Sequence, residues 1–175
     1  MRAGATCGIV RAPMKLKLLA LLLTAAGLLV SGCGQKEPST TSSGSAGPSD
    51  ATLEFTANDS MKFNVTRVEV AAGRPVKVIF TNIGSLPKAA MGHNWVLLNK
   101  GVDGKAFCDA AVAAAATDYI PAAMAGSVLA HTKLLGPKQT DEITFTAPTE
   151  PGEYPFVCSF PAHYVAGMHG VLVVK

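Results

Sequence analysis

CSFPAHYVAGM, residues 158–168, places a thiol (Cys158), an imidazole (His163) and a thioether (Met168) on one short loop, at the spacing C-x4-H-x4-M. A strand-like run from Tyr154 to Ser159 leads in, and another from Gly170 to Val174 leads out. A loop tied down by sheet at both ends can hold three side chains around one point. Thiolate, imidazole and weak thioether together suit copper when a second imidazole completes a trigonal His2Cys plane with a long axial Met. Upstream, MGHNW at residues 91–95 offers that imidazole as His93.

Each donor has an ordinary reading when taken alone. Cys158 would be a small buried hydrophobe, Met168 core packing, and His93, between Gly92 and Asn94, a turn residue. Their conjunction shifts the balance. Cys, His and Met crowd one loop, and Gly-His-Asn lies about 65 residues earlier at the head of an apolar run, HNWVLL (93–98). The expectation is a mononuclear type 1 site holding one copper ion.

The chain of 175 residues is 49% hydrophobic and 15% charged, enough for one ordinary domain. Part of the apolar excess is not fold. Residues 16–30 (LKLLALLLTAAGLLV) follow Arg11 and Lys15 and end at Ser31-Gly32-Cys33. That run is too short for a spanning helix but fits a secretory signal. A buried core helix fits less well, because a polar segment follows at once. Met14 offers a second start, since MKLKLLALLL is the more usual signal opening. VSGC at residues 30–33 resembles the bacterial lipobox, which would put lipid on Cys33. Residues 1–32 then read as a lipoprotein signal peptide and residues 33–51 as lipidated Cys33 with a flexible Ser/Gly/Pro linker. Residues 52–175 read as the folded domain. Gly34 after that cysteine favours the outer membrane in a Gram-negative cell.

Four of the 15 Lys and Arg lie in the signal while all 12 acids follow it, leaving 11 against 12. No basic field for nucleic acid remains. Of four cysteines, Cys7 and Cys33 belong to the leader and the lipobox, Cys158 to the metal loop, and Cys108 is left over. A Cys108–Cys158 disulfide competes with the metal reading in an oxidising compartment, but it would consume the thiolate that His163 and Met168 imply.

From Thr52 the pattern is strands. Leu53 and Phe55 alternate, as do Val65 to Val70 and Val76, Val78 and Phe80, with turn signals at Ala72-Gly73 and Pro148–Gly152. Residues 105–117 are Ala-rich and read as one short helix; Ile143 and Phe145 mark another strand. Several short strands with one helical insertion suggest an all-β, antiparallel sandwich.

LPKAAMGHNWVLL (86–98), SVLAHTKLLG (127–136) and CSFPAH (158–163) resemble azurin, and residues 52–175 are similar to it in order and content. The resemblance implies a Greek-key cupredoxin β-sandwich that shuttles single electrons in the bacterial periplasm. It makes His93, Cys158 and His163 the equatorial ligands, Met168 the axial one, and the Gly92 carbonyl a further axial contact. Asn94 matches the residue that braces the ligand loops, and the Ala-rich helix matches a flap outside the sandwich. Leu86, Met91 and Phe160, with Ala90 and Ala162, would form an apolar docking patch around His163, whose edge is expected at the surface. Partners would be redox proteins such as c-type cytochromes or terminal reductases and oxidases. Two departures stand out. The step from loop His to Met is one residue longer than in azurins and closer to auracyanins, and the cysteines of azurin's N-terminal disulfide are absent. His131, in a loop-like segment, and His169, turned away from the metal by strand alternation, are not ligands on this reading. The main rival is a copper-binding lipoprotein for storage, delivery or resistance, which Met-rich or His-rich tracts would favour. A copper enzyme would need a second metal site or a loop with two cysteines, and a plain adhesion-type sandwich would bind no metal.

Overall fold

The computed structural model describes residues 51–175; the signal peptide, Cys33 and nearly all of the linker lie outside the described residues. Among the described residues eight strands form two sheets: β1 (Ala51–Ala57), β2 (Arg67–Val70), β3 (Pro75–Asn82), β4 (Val96–Leu98), β5 (Val128–His131), β6 (Thr140–Thr146), β7 (Gly152–Val157) and β8 (His169–Val174). One sheet runs β1-β3-β6 and the other β2-β8-β7-β4-β5.

Strict alternation sets the first sheet. In β3, Val76, Val78, Phe80 and Asn82 turn inward while the intervening residues stay half-exposed, as period-two patterning requires. Phe55, Phe63, Trp95 and Phe156 interlock in the core, with ring centroids 5.2 Å apart for Phe55–Phe156 and 5.5 Å for Phe55–Trp95. β4 is different: all of Val96, Leu97 and Leu98 are buried. Leu97 faces the main core, while Val96 and Leu98 join Phe107, Cys108 and Val157 in a second cluster. The insertion between β4 and β5 covers that outer face, so the HNWVLL run shows no alternation.

The sandwich is not purely antiparallel, as the strand pattern suggested. β1 pairs with β3 and β2 with β8 in parallel. The chain leaves the first sheet after β1, adds β2 to the second, and returns as β3 in the original direction. Such a crossover makes parallel neighbours, and alternation along a single strand carries no record of it.

The insertion also departs from the expected single helix over 105–117. A helix, α2 (Gly104–Ala111), starts at Asp103, whose side chain accepts from the Lys105 and Ala106 N–H groups. It buries Phe107, Cys108 and Ala111 and then ends; 3₁₀ turns follow at Ala115–Thr117 and Ala122–Ser127. Ala favours helix, but Val112 onward offers no buried stripe, and packing of Tyr119 on Phe160 pulls the chain elsewhere. A further short helix, α1 (Lys88–Met91), starts after Pro87 and precedes Gly92.

Candidate metal centre

Three neighbouring strands end at one pole. Val96 of β4 pairs with Val157 of β7, and Val157 pairs with His169 of β8. The next residues outward are therefore Cys158 after β7 and Met168 before β8, with His93 just ahead of β4. The Cys158 N–H donates to the Met168 carbonyl at 3.0 Å, and the Met168 N–H to the His163 carbonyl at 2.9 Å. His93 is held from the other side, exchanging two backbone bonds with Leu135 at 3.1 and 2.8 Å.

The side chains converge as the sequence spacing predicts. His93 Nδ1 stands 3.2 Å from His163 Nδ1, and Cys158 Sγ stands 3.4 Å from that same nitrogen. One donor atom from each of the three residues falls within 4.8 Å of the others. Met168, His93 and Cys158 are fully buried and His163 keeps 2% of its surface, a narrower opening than the exposed edge expected of it. Cys108 and Cys158 are free thiols, so the disulfide reading falls. The Cys108 thiol instead donates to the Cys158 carbonyl at 3.6 Å.

Burial governs the electrostatics. It pushes the Cys158 thiol up to about 12, with backbone N–H groups of Asn94 and Phe160 pulling back. It pushes His163 down to about 4, assisted by His93. His93 is lowered too, by burial first and against the opposing charge of Asp59. At neutral pH the cluster is two neutral imidazoles and a thiol, as a low-dielectric site demands. His93 Nε2 is buried without a hydrogen-bond partner among the described residues, and the nearby Asn58 backbone favours the protonated ring without overcoming burial. Facing Nδ1 atoms can share one proton at most, and the thiolate needs a positive partner to exist here. Imidazoles that are already neutral beside an ionisable thiol fit a thiophilic metal ion.

The surrounding residues fix this arrangement. Asn94 is fully buried. Its Oδ1 accepts from the Ser159 N–H at 2.9 Å, and its Nδ2 donates to Ser159 Oγ at 2.8 Å and to the Asp118 carbonyl at 3.0 Å. At Gly92 an added Cβ would lie 2.8 Å from the Lys88 carbonyl oxygen and 3.0 Å from Leu134 Cγ. Close approach, not backbone angle, requires glycine there, since its φ is −69°. Of the three docking candidates, Leu86 is exposed, Met91 half-buried and Phe160 buried. The Phe160 ring packs on His163 at 4.7 Å and on Tyr119 at 5.0 Å.

Sequence reading missed several contributors. Val165, between His163 and Met168, is 71% exposed. Lys62 donates to the Ala166 carbonyl in the same loop. Asp118 and Tyr119 carry no sequence signal beyond ending an alanine run. His131, read as loop, closes β5 opposite Val96, and its exposed ring bonds the Thr132 carbonyl. His169 is exposed and stacks on Tyr164 at 4.5 Å.

The family model for copper-binding proteins of the plastocyanin/azurin family matches residues 50–175. Azurin from Achromobacter denitrificans is 37% identical over 126 residues, which is 70% of this chain and 82% of azurin. Outer membrane protein H.8 of Neisseria meningitidis is 40% identical over 121 residues, covering 67% of this chain and 63% of that protein. Among solved structures, reduced auracyanin from Roseiflexus castenholzii superposes with a TM-score of 0.65 at 34% identity, over 72% of this chain and 98% of that one.

Proposed function

The chain belongs to the plastocyanin/azurin family of copper-binding proteins, and from that premise we propose a one-electron carrier at the periplasmic face of a bacterial membrane, anchored by lipid on Cys33. His93, Cys158, His163 and Met168 form its type 1 copper site. Copper held there supplies a one-electron couple between Cu(II) and Cu(I). The protein's part is to keep one donor geometry through both states and to keep substrates out.

The observation that carries this reading is the burial of the whole donor set: His93, Cys158 and Met168 are at 0% exposure and His163 at 2%. A metal so enclosed has no face for a substrate to bind, and what can pass is an electron. Cys158 would give up its thiol proton to hold the ion, while the imidazoles are already neutral. Asn94 holds Ser159 beside the ligand cysteine, and Gly92 lets α1 pack tightly ahead of His93, where its carbonyl would be a further oxygen offered to the ion.

The docking surface on this reading is Leu86 and Met91, with Phe160 as the buried backing of His163. Such small apolar contacts suit brief encounters, with c-type cytochromes or terminal reductases and oxidases as partners. VSGC at residues 30–33, Gly34, and the similarity to a protein named for the outer membrane favour a lipid anchor in the outer membrane. The test is voltammetry of the copper-loaded protein. A carrier gives a reversible one-electron wave and retains its ion through repeated cycles; release of the ion on reduction would instead mark a storage or delivery protein.

A further inference from the structure

Of three consecutive residues of the ligand peptide, Cys158 and Phe160 are held directly from the insertion between β4 and β5, and Ser159 is held through Asn94. The Cys108 thiol on α2 donates to the Cys158 carbonyl at 3.6 Å. The Asp118 carbonyl accepts from Asn94 Nδ2, and that amide grips Ser159 at both its N–H and its hydroxyl. The Tyr119 ring meets the Phe160 ring edge-on at 5.0 Å, and Phe160 lies on His163 at 4.7 Å. Asp118 also ties down the other flank, since its carboxylate accepts from the Leu134 N–H at 3.3 Å and pairs with Lys88 at 3.7 Å. Leu134 precedes the residue that bridges His93.

The backbone at this point is unusual. Asp118 and Tyr119 both sit in the left-handed region, with φ of 53° and 62°. Two adjacent non-glycine residues there are uncommon, and such conformations persist where surrounding contacts over-determine them. A surface flap with no duty would have let the alanine run continue as helix or relax into an ordinary turn. Here the strained pair presents a carbonyl to Asn94 and a ring to Phe160 from adjacent positions.

We propose that the Asp118–Tyr119 turn, with Cys108, is a positioning element of the metal centre. It fixes the 158–160 peptide and the His163 ring before any ion arrives. The ring contact matters most, because Tyr119 backs Phe160, and Phe160 packs on the His163 ring whose Nδ1 faces His93 and Cys158. A donor triangle preset in this way reorganises little on electron transfer, and support of this kind decides whether a site is tight or loose. The proposal rests on the copper-site reading, so the parent protein loaded with one Cu(II) is the control that tests the reading itself.

Tyr119→Leu removes the ring, and Tyr119→Phe keeps it. Three readings are taken: visible absorption of the Cu(II) form, electron self-exchange by magnetic-resonance line broadening, and the His163 ring resonances of the metal-free protein. The expected result for Tyr119→Leu is one bound copper, Trp95 emission as in the parent, and a shifted, broadened charge-transfer band. Self-exchange should slow several-fold, and the metal-free His163 signals should broaden or double. Tyr119→Phe should match the parent throughout. A folded Tyr119→Leu protein that merely melts earlier, with parental band, exchange and His163 signals, overturns the proposal. If Tyr119→Leu fails to fold, Cys108→Val decides: it keeps the ring and the bulk but loses the thiol donor. A changed charge-transfer band there supports the brace, and an unchanged one refutes it.

Discussion

The Nδ1 atoms of His93 and His163 lie 3.2 Å apart although the residues are 70 positions apart in sequence. Cys158 Sγ completes the contact at 3.4 Å from the second of them. Neither ring is protonated cheaply at this burial, so two neutral imidazole nitrogens and a sulfur face one point, a donor set suited to a metal ion. One Cu(II) per chain should therefore bind and give an intense visible band from thiolate-to-copper charge transfer. Cys158→Ser should abolish the band while the Trp95 emission of a folded core persists. A hydroxyl without a good partner in that buried position should cost about 1–3 kcal/mol of stability. An intensely blue Cys158→Ser protein would exclude this thiolate as the ligand.

Stability of the metal-free protein should fall away on both sides of neutrality. An unfolded imidazole titrates near 6.5 and folded His163 near about 4. Between those values the unfolded chain binds more protons, so stability rises with pH, by about 1.4 kcal/mol per unit for each proton of difference. His93 adds in the same direction. At the alkaline end, the folded thiols of Cys108 and Cys158 are pushed from 9.0 up to about 12. Above pH 9 the unfolded chain loses those protons first, and stability declines. Copper loading should remove the Cys158 share of the alkaline limb and steepen the acid one, because the ligands then hold no proton in the folded state while the unfolded chain still takes them up. Denaturant titrations followed by Trp95 emission across pH, with and without copper, measure both limbs; a flat metal-free profile from pH 4 to 7 would contradict the buried neutral imidazoles.

Gly92→Ala should disturb the site without touching a ligand. The new Cβ would press on the Lys88 carbonyl at 2.8 Å and on Leu134, and Leu135 next door is the bridge partner of His93. Overpacking of this kind costs about 1–3 kcal/mol. The expected outcome is a lower melting temperature together with a perturbed charge-transfer band. Parental values for both would mean that α1 yields freely and does not set the His93 position.

Much of this was readable from residue order because the information is local. The C-x4-H-x4-M loop lies on one turn between β7 and β8, so spacing alone brings Cys158, His163 and Met168 together. The inward stripe of β3 is likewise printed in Val76, Val78 and Phe80. What was not readable depends on distant partners. The parallel pairing of β1 with β3 arises from a crossover through the second sheet. The break in the Ala-rich helix arises from Tyr119 reaching Phe160, 41 positions onward. Phe160 was expected on the docking surface because its neighbours are ligands. The structure tucks its ring between His163 and Tyr119, leaving the residue 8% exposed, and nothing in its immediate sequence reports that. Val165 was overlooked for the converse reason, since an apolar residue between two ligands looks interior yet stands 71% exposed.

Cys33→Ala tests the anchor. A bacterial lipoprotein carries several acyl chains, and where one chain holds only marginally, several hold firmly. Without the thiol no lipid can be attached at that position, so the variant should remain uncleaved or appear in the soluble exported fraction. Membrane fractionation with labelled fatty acid reads the outcome. Normal processing with undiminished membrane association would refute lipidation at Cys33.

Met91→Lys separates electron transfer from copper binding alone. Met91 ends α1, one residue before Gly92 and two before the ligand His93, and it is half-buried beside the exposed Leu86 loop. Asp59 holds that loop by accepting from the Ser85 N–H and hydroxyl, so the apolar surface is presented on a fixed frame. A lysine at this rim introduces a charge that must shed water before a partner can approach closely, and two copies of the variant also repel one another. The copper band should survive, because no ligand and none of their hydrogen-bond partners is altered. Self-exchange in a mixed Cu(I)/Cu(II) sample should slow markedly, and more so at low ionic strength, where screening is weakest. Raising the salt should recover the part due to repulsion and leave the part due to desolvation. If the Met91→Lys protein keeps both its band and its exchange rate at low salt, electrons leave by another face, and the exposed Val165 side of the ligand loop becomes the next surface to charge.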